Sequence, residues 1–222
     1  TRVYHTKPSF QIVLDAVTKQ FHSGEGAIQF APEAIARSNA DILKDEELKN
    51  EFIEIYSEQG KEEARNWVNK NYGPYSEEEL DHRMSRYGLN PCGEILGNDF
   101  HCNLAEVHLN QIDPENFEEQ KKAFKAAALS VACLLNHEFE VERYRKSREY
   151  DPIVGVSFTG LFDFCVHAFG TPWLKWWEEG RPDSEKGRAF KKQEAKFLDS
   201  WRKIVKETVW EYCDKHKLRR PN

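Results

Sequence analysis

The chain has 222 residues, with 32 Lys and Arg against 38 Asp and Glu for a formal net charge of −6. It is long enough to enclose a real core, and it carries no dense basic block of the kind that grips a polyanion, which argues against a nucleic-acid polymer as its main partner. No apolar run approaches the roughly 20 residues that cross a bilayer, and no secretory leader opens the sequence, so a soluble, cytoplasmic protein without membrane attachment is expected. The five cysteines, Cys92, Cys102, Cys133, Cys165 and Cys213, form no CxxC pair; structural disulfides are not expected in a chain of this size, and the default reading of each thiol is a small buried hydrophobe.

In chain order, Phe10, Val13, Leu14, Val17 and Phe21 recur at three- and four-residue steps, which predicts an amphipathic helix over 8–21 ended by the glycines of SGEG. AIQFA reads as a short strand. Residues 34–87 are dense in charge, with helical patterning around Phe52, Ile55 and Tyr56 and again around Ala64, Trp67 and Val68. This region is read as a set of solvated helical faces and as a possible insertion. NPCGEIL is too short and too rich in Pro and Gly for a helix, so it is an extended segment or a loop at a strand end.

NLAEVHLN resembles another strand. Asp113 followed by Pro114 predicts a helix start, with Asp as N-cap and Pro at the first helical position. The run through AFKAAALSVACLLN is apolar on nearly all sides in its second half, as in a covered helix, and Cys133 within it reads as inert packing. DPIVGVSFTGLFDF passes from a β-branched run through a glycine turn into a helical pattern that carries Cys165, a strand feeding a helix in an α/β fold. TPWLKWW is an aromatic cluster whose default meaning is packing. Phe197, Trp201, Ile204, Val205, Thr208 and Tyr212 share one face of a final amphipathic helix, with Cys213 near its end.

The stretch from 88 to 110 holds the residues with chemical promise. On extended backbone, side chains at i, i+2 and i+4 share a face with about 6.5 to 7 Å between neighbours, so Asn90, Cys92 and Glu94 would line up at a spacing that suits a sugar-sized molecule. Three alternatives stand beside a catalytic reading. Cys92 is a turn residue between Pro91 and Gly93, or it joins Cys102 and His101 at a metal, or it pairs with Cys102 in a disulfide. Zinc is disfavoured, because no CxxC or HxxxH spacing completes four ligands.

NPCGEI followed shortly by CNL resembles the active-site signature of the large catalytic chain of ribonucleotide reductases, and the short Cys-to-Cys spacing looks most like the adenosylcobalamin-dependent class. VGVSFTGLFDF is similar to a later barrel strand and its helix in that family. The resemblance implies an α/β fold, with residues 1–222 as part of a single catalytic domain built on a ten-stranded barrel, and NPCGEI on the loop that enters it. It implies reduction of ribonucleoside tri- or diphosphates to deoxyribonucleotides, with adenosylcobalamin as radical source and a thioredoxin-type dithiol as reductant. Cys92 stands where the family has its thiyl radical, Glu94 where it has the acid and base, and Asn90 where it has the residue that holds a sugar hydroxyl. Cys102 matches one member of the redox-active pair.

Departures accompany the match. No other cysteine here matches the second redox thiol, and neither the family's phosphate-binding loop nor its C-terminal shuttle cysteines occur in the sequence. Thr1 at the start and LRRPN at the end fit an internal piece, such as an extein segment or split-gene product, which needs flanking segments to turn over. A reductase with a separate metal-containing radical subunit shares the same Asn, Cys and Glu, and a non-catalytic assembly module is the contrasting possibility.

Overall fold

A computed structural model describes residues 1–221, which fall into two compact units, 1–100 and 101–221. The first contains β1 (Arg2–Tyr4), α1 (Phe10–Ser23), β2 (Ile28–Phe30), α2 (Ala31–Ser38), α3 (Glu46–Gln59), α4 (Lys61–Tyr72), α5 (Glu77–Arg83), β3 (Gly88–Leu89) and β4 (Leu96–Gly97). The second contains β5 (Asn103–His108), α6 (Phe117–Cys133), α7 (Glu142–Tyr150), β6 (Val154–Thr159), α8 (Leu161–Phe169), α9 (Thr171–Glu178) and α10 (Glu185–His216). The protein is therefore α/β and helix-rich. Its described strands form three two-stranded sheets, β1–β2 and β5–β6 parallel and β3–β4 antiparallel, with no closed barrel.

In the first unit, α1 begins where Ser9 accepts a hydrogen bond from the Ile12 amide, and it ends at Gly24 in the left-handed conformation. It is the crossover between parallel β1 and β2. Residues 34–87 depart from the solvated reading. Ile35, Leu43, Phe52, Tyr56, Ala64, Val68, Leu80 and Met84 meet in one buried cluster drawn from α2, α3, α4, α5 and the loops between them. α3 buries Phe52 and Tyr56 and α4 buries Ala64 and Val68, each pair four residues apart on a helix otherwise rich in charge, so a core forms within a stretch of low mean hydropathy.

Two arginines are also inside. Arg83 and Arg86 are 1% and 0% exposed, a placement that charged side chains take only when partnered. Arg83 donates to both Asp41 carboxylate oxygens at 3.1 and 2.8 Å, to Glu79 at 3.2 and 3.1 Å, and to Asn39 Oδ1 at 3.0 Å. Arg86 donates to the same Asn39 oxygen at 3.1 Å. Burial pushes the Arg83 guanidinium toward losing its proton, and the hydrogen bonds and charge of Asp41 outweigh that, so its pKa is raised overall.

The second unit is built on β5 and β6, paired in parallel from Asn103 opposite Val154 to His108 opposite Thr159. Val107, Val156 and Phe158 join Phe124 of α6 and Trp201 of α10 in the core. Trp201 is its centre. The Phe124 ring stacks on it at 5.0 Å, and Phe164 and Phe158 meet it edge-on at 5.2 and 5.7 Å. Its indole N–H donates to Gln120 Oε1 at 3.1 Å, while Gln120 Nε2 donates to the carbonyls of Asp113 and Pro114.

That tether corrects the expected helix start. Asp113 caps only a local turn, accepting from the Glu115 amide at 2.9 Å, and Asn116 is the N-cap of α6 through the Glu119 amide. With the Asp113–Pro114 carbonyls held by Gln120, the helix begins three residues later. Cys133, read from the sequence as packing, is exposed, whereas Cys165 and Cys213 are buried.

Candidate active site

Asn90, Cys92 and Glu94 sit at the tip of the β3–β4 hairpin, so the straight extended line does not occur. Gly88 pairs with Gly97 and Leu89 with Leu96. The chain then reverses in a turn from Asn90 to Gly93, closed by the Gly93 amide donating to the Asn90 carbonyl at 3.0 Å. Pro91 supplies the fixed φ that the second position of such a turn requires, and Gly93 takes φ +82°, a value that L side chains resist.

The turn nevertheless brings two of the three polar side chains together. Asn90 Nδ2 donates to Glu94 Oε1 at 2.5 Å, and Asn90 Oδ1 accepts from the amides of Gly93 and Ile95, both at 3.1 Å. One carboxamide thus satisfies two loop amides and orients the carboxylate. Cys92 lies between them in sequence as an exposed thiol, and Pro91, Gly93 and Glu94 are exposed as well.

Beneath the tip, the hairpin is mounted on the buried arginine network. Ser38 Oγ at the end of α2 donates to the Arg86 carbonyl at 2.8 Å, two residues before β3 begins, and Asn39 Nδ2 donates to the Arg83 carbonyl at 3.1 Å. The sequence reading missed Ser38, Asn39, Arg83 and Arg86. Their only signal was a pair of arginines three residues apart, leading into the motif within a helical apolar pattern.

Cys102 belongs to the second unit, exposed and immediately before β5. After it Leu104, Glu106 and His108 alternate on the uncovered face of the β5–β6 pair, and His108 Nδ1 lies 2.7 Å from Thr159 Oγ1. His101, just before Cys102, stacks on Phe139 at 4.2 Å. The remaining buried thiols are held in the protonated form. Burial, with a contribution from Glu194, pushes Cys165 up to about 11, and burial with Asp214 raises Cys213. A protonated buried thiol is a poor nucleophile, which leaves the chemistry to the exposed ones.

No family model and no solved structure matches the chain. An adenosylcobalamin-dependent ribonucleoside-triphosphate reductase of Lactobacillus gasseri is 33% identical over 105 residues. The aligned segment is 47% of this chain and 14% of that relative's length. About half of the chain is thus similar to a ribonucleotide reductase. Among the described residues no three His, Cys, Asp or Glu side chains converge as a metal-binding group, and no helix is long and apolar enough to cross a membrane.

Proposed function

We propose that the hairpin is the catalytic element of a ribonucleotide reductase and that this chain serves DNA-precursor synthesis as a segment of that enzyme. The observation that carries the reading is the Asn90–Glu94 hydrogen bond across a turn that presents Cys92, in a chain similar over 47% of its length to a ribonucleoside-triphosphate reductase. Cys92 as a thiyl radical removes the 3′ hydrogen of the ribose and returns it at the end. Glu94 takes the 3′-hydroxyl proton and assists departure of the 2′-hydroxyl as water, with Asn90 holding the carboxylate and a sugar hydroxyl. The two electrons come from a thiol pair that ends as a disulfide, Cys102 being one member and a thiol outside this set of cysteines the other; a dithiol of the thioredoxin type regenerates it.

Placement of β5 and β6 in a larger α/β barrel fits their parallel pairing through a helical crossover and the uncovered face of Leu104 and Glu106, since parallel sheets are ordinarily covered on both faces. In that arrangement residues 1–222 belong to one catalytic domain. The radical source follows from the relative's name alone. A corrin is a broad disc with apolar faces, and the hairpin tip offers only Pro91 and Gly93 beside Cys92, so no residue is assigned to it and no step is derived through it.

The test uses the full-length protein that contains this chain, supplied with ribonucleoside triphosphate, adenosylcobalamin and a dithiol. Deoxynucleotide should form, and Cys92→Ser should abolish it while nucleotide binding, measured by equilibrium dialysis, persists. Product from the Cys92→Ser protein at the wild-type rate would overturn the assignment. Activity that needs a separate metal-containing subunit and ignores the cobalamin would keep the hairpin and change the class.

A further inference from the structure

The second unit holds a cavity of about 450 Å³ between α8, α9 and α10 that the proposed chemistry does not use. Its walls are aromatic. Trp173 and Trp177 stack at 5.4 Å with 27° between their planes, and Phe162 meets both edge-on at 5.1 and 5.6 Å. Phe162 and Trp177 are 43% and 41% exposed, large rings left in water on helices whose other aromatic residues Phe164, Trp173 and Trp176 are buried.

The polar rim is one ion pair, in which the buried Arg181 Nε is left without a hydrogen-bond partner. Glu194 accepts from the Trp173 indole N–H through one carboxylate oxygen and from Arg181 through the other, both at 2.7 Å. The Arg181 guanidinium lies over the Trp176 and Trp177 rings at 5.0 and 4.9 Å. It is brought there by a backbone at φ +58°, a conformation that costs energy in a residue with a side chain and that gathers at ligand clamps. The Cys165 thiol in the lining stays neutral, since burial raises its pKa. Every charge at the mouth therefore already has its counter-charge, and the volume lies in the range of small-molecule sites, which are apolar clefts with few polar groups.

We propose that this cavity is a binding site for a small, neutral, planar ring compound, held by stacking against Trp177 and Phe162. Arg181 and Glu194 already neutralise each other, so a charged ligand finds no free counter-charge yet gives up its own hydration on entering, a loss that an uncharged ring does not suffer. The inference is independent of the reductase reading.

The test titrates the chain with indole, with indole-3-acetate and with tryptamine, following ligand-induced shifts of the Trp173 indole N–H resonance. Indole should bind saturably, with Kd of about 0.1–1 mM for a compound of its size, and each charged analogue at least about tenfold more weakly. Trp177→Ala removes a half-exposed wall and should weaken indole about tenfold, with far-UV circular dichroism unchanged. Trp210→Phe, remote from the cavity on α10, should leave Kd as it was. A charged analogue that binds as well as indole, a Kd indifferent to Trp177→Ala, or no saturation would each overturn the proposal. So would concentration-dependent dimerisation in sedimentation that Trp177→Ala abolishes while indole does not bind, because the rings would then face a second copy of the chain.

Discussion

Asp41→Asn tests whether the buried arginine network holds the hairpin. Asp41 accepts from Arg83 and lies 3.9 Å from Arg86, and the substitution removes its charge from beside two guanidiniums in a nearly dry site. Arg83 cannot escape by losing a proton, since a guanidinium stays charged in proteins. Removing one partner of a buried ion pair costs about 3–5 kcal/mol. Asp41 and Glu79 keep 20% and 18% of their side-chain exposure, and Glu79 remains to share Arg83, which brings the expectation to about 2–3 kcal/mol. With a urea m-value of about 1–3 kcal/mol/M, the unfolding midpoint should fall by roughly 1 M. Glu33→Gln is the control, because its pair with Arg37 is solvent-exposed on both sides and should be worth under about 1 kcal/mol. Hydrogen exchange should also quicken more at 88–97 than along α3, because Ser38 ties the network to the Arg86 carbonyl. Equal midpoints for the two variants, or exchange that rises uniformly, would refute the view that this network is the hairpin's mount.

Three further outcomes follow from individual contacts. Asn90→Ala should release the Ile95 amide and raise its exchange rate about tenfold, the equivalent of one lost hydrogen bond, while the Gly93 amide keeps its bond to the residue-90 carbonyl and circular dichroism is unchanged. Trp201→Phe strands Gln120 Oε1 in the interior and should destabilise the second unit by about 1–3 kcal/mol, read as a lower melting temperature. For Cys165 the folded pKa stands above the unfolded one, so its stabilising contribution is complete below about pH 8.5 and is lost as pH rises toward about 11. A Cys165→Ala variant should therefore show a shallower alkaline loss of stability across that window, and iodoacetamide at pH 8 should label Cys92, Cys102 and Cys133 while sparing Cys165 and Cys213.

The elements with clean periodicity were legible: α1, β2, β5, β6 with its glycine turn into α8, and the apolar face of α10 all stand where the pattern placed them. The start of α6 was not, because Gln120, a residue with no sequence signal of burial, holds the Asp113–Pro114 backbone out of the helix. Residues 34–87 hid a core because α3 and α4 each fully bury only two residues among many charged ones, and because two further buried residues are arginines, Arg83 being neutralised by Asp41, 42 residues away, as well as by the nearby Glu79. At the site, the alternation of Asn90, Cys92 and Glu94 invited an extended reading. Pro at the second position of a turn and Gly at the fourth were the competing signal, and they won because Asn90 can close the turn with its own side chain.

The geometry divides what the proposed reaction needs into two parts. Orientation is intrinsic to the hairpin: Asn90 fixes the carboxylate, Gly93 and Pro91 fix the turn, and Ser38 with the arginine network fixes the base. Shelter is not supplied at the tip, where Cys92 and Glu94 stand exposed. A thiyl radical must be screened from water and stray reductants, and a carboxylate that exchanges protons near neutrality must be desolvated. A turn whose shape came from the covering structure would lose its order whenever that cover opened to admit substrate. One whose shape comes from below keeps its carboxylate and carboxamide in register without any cover, which is what the proposed reaction would ask of the hairpin.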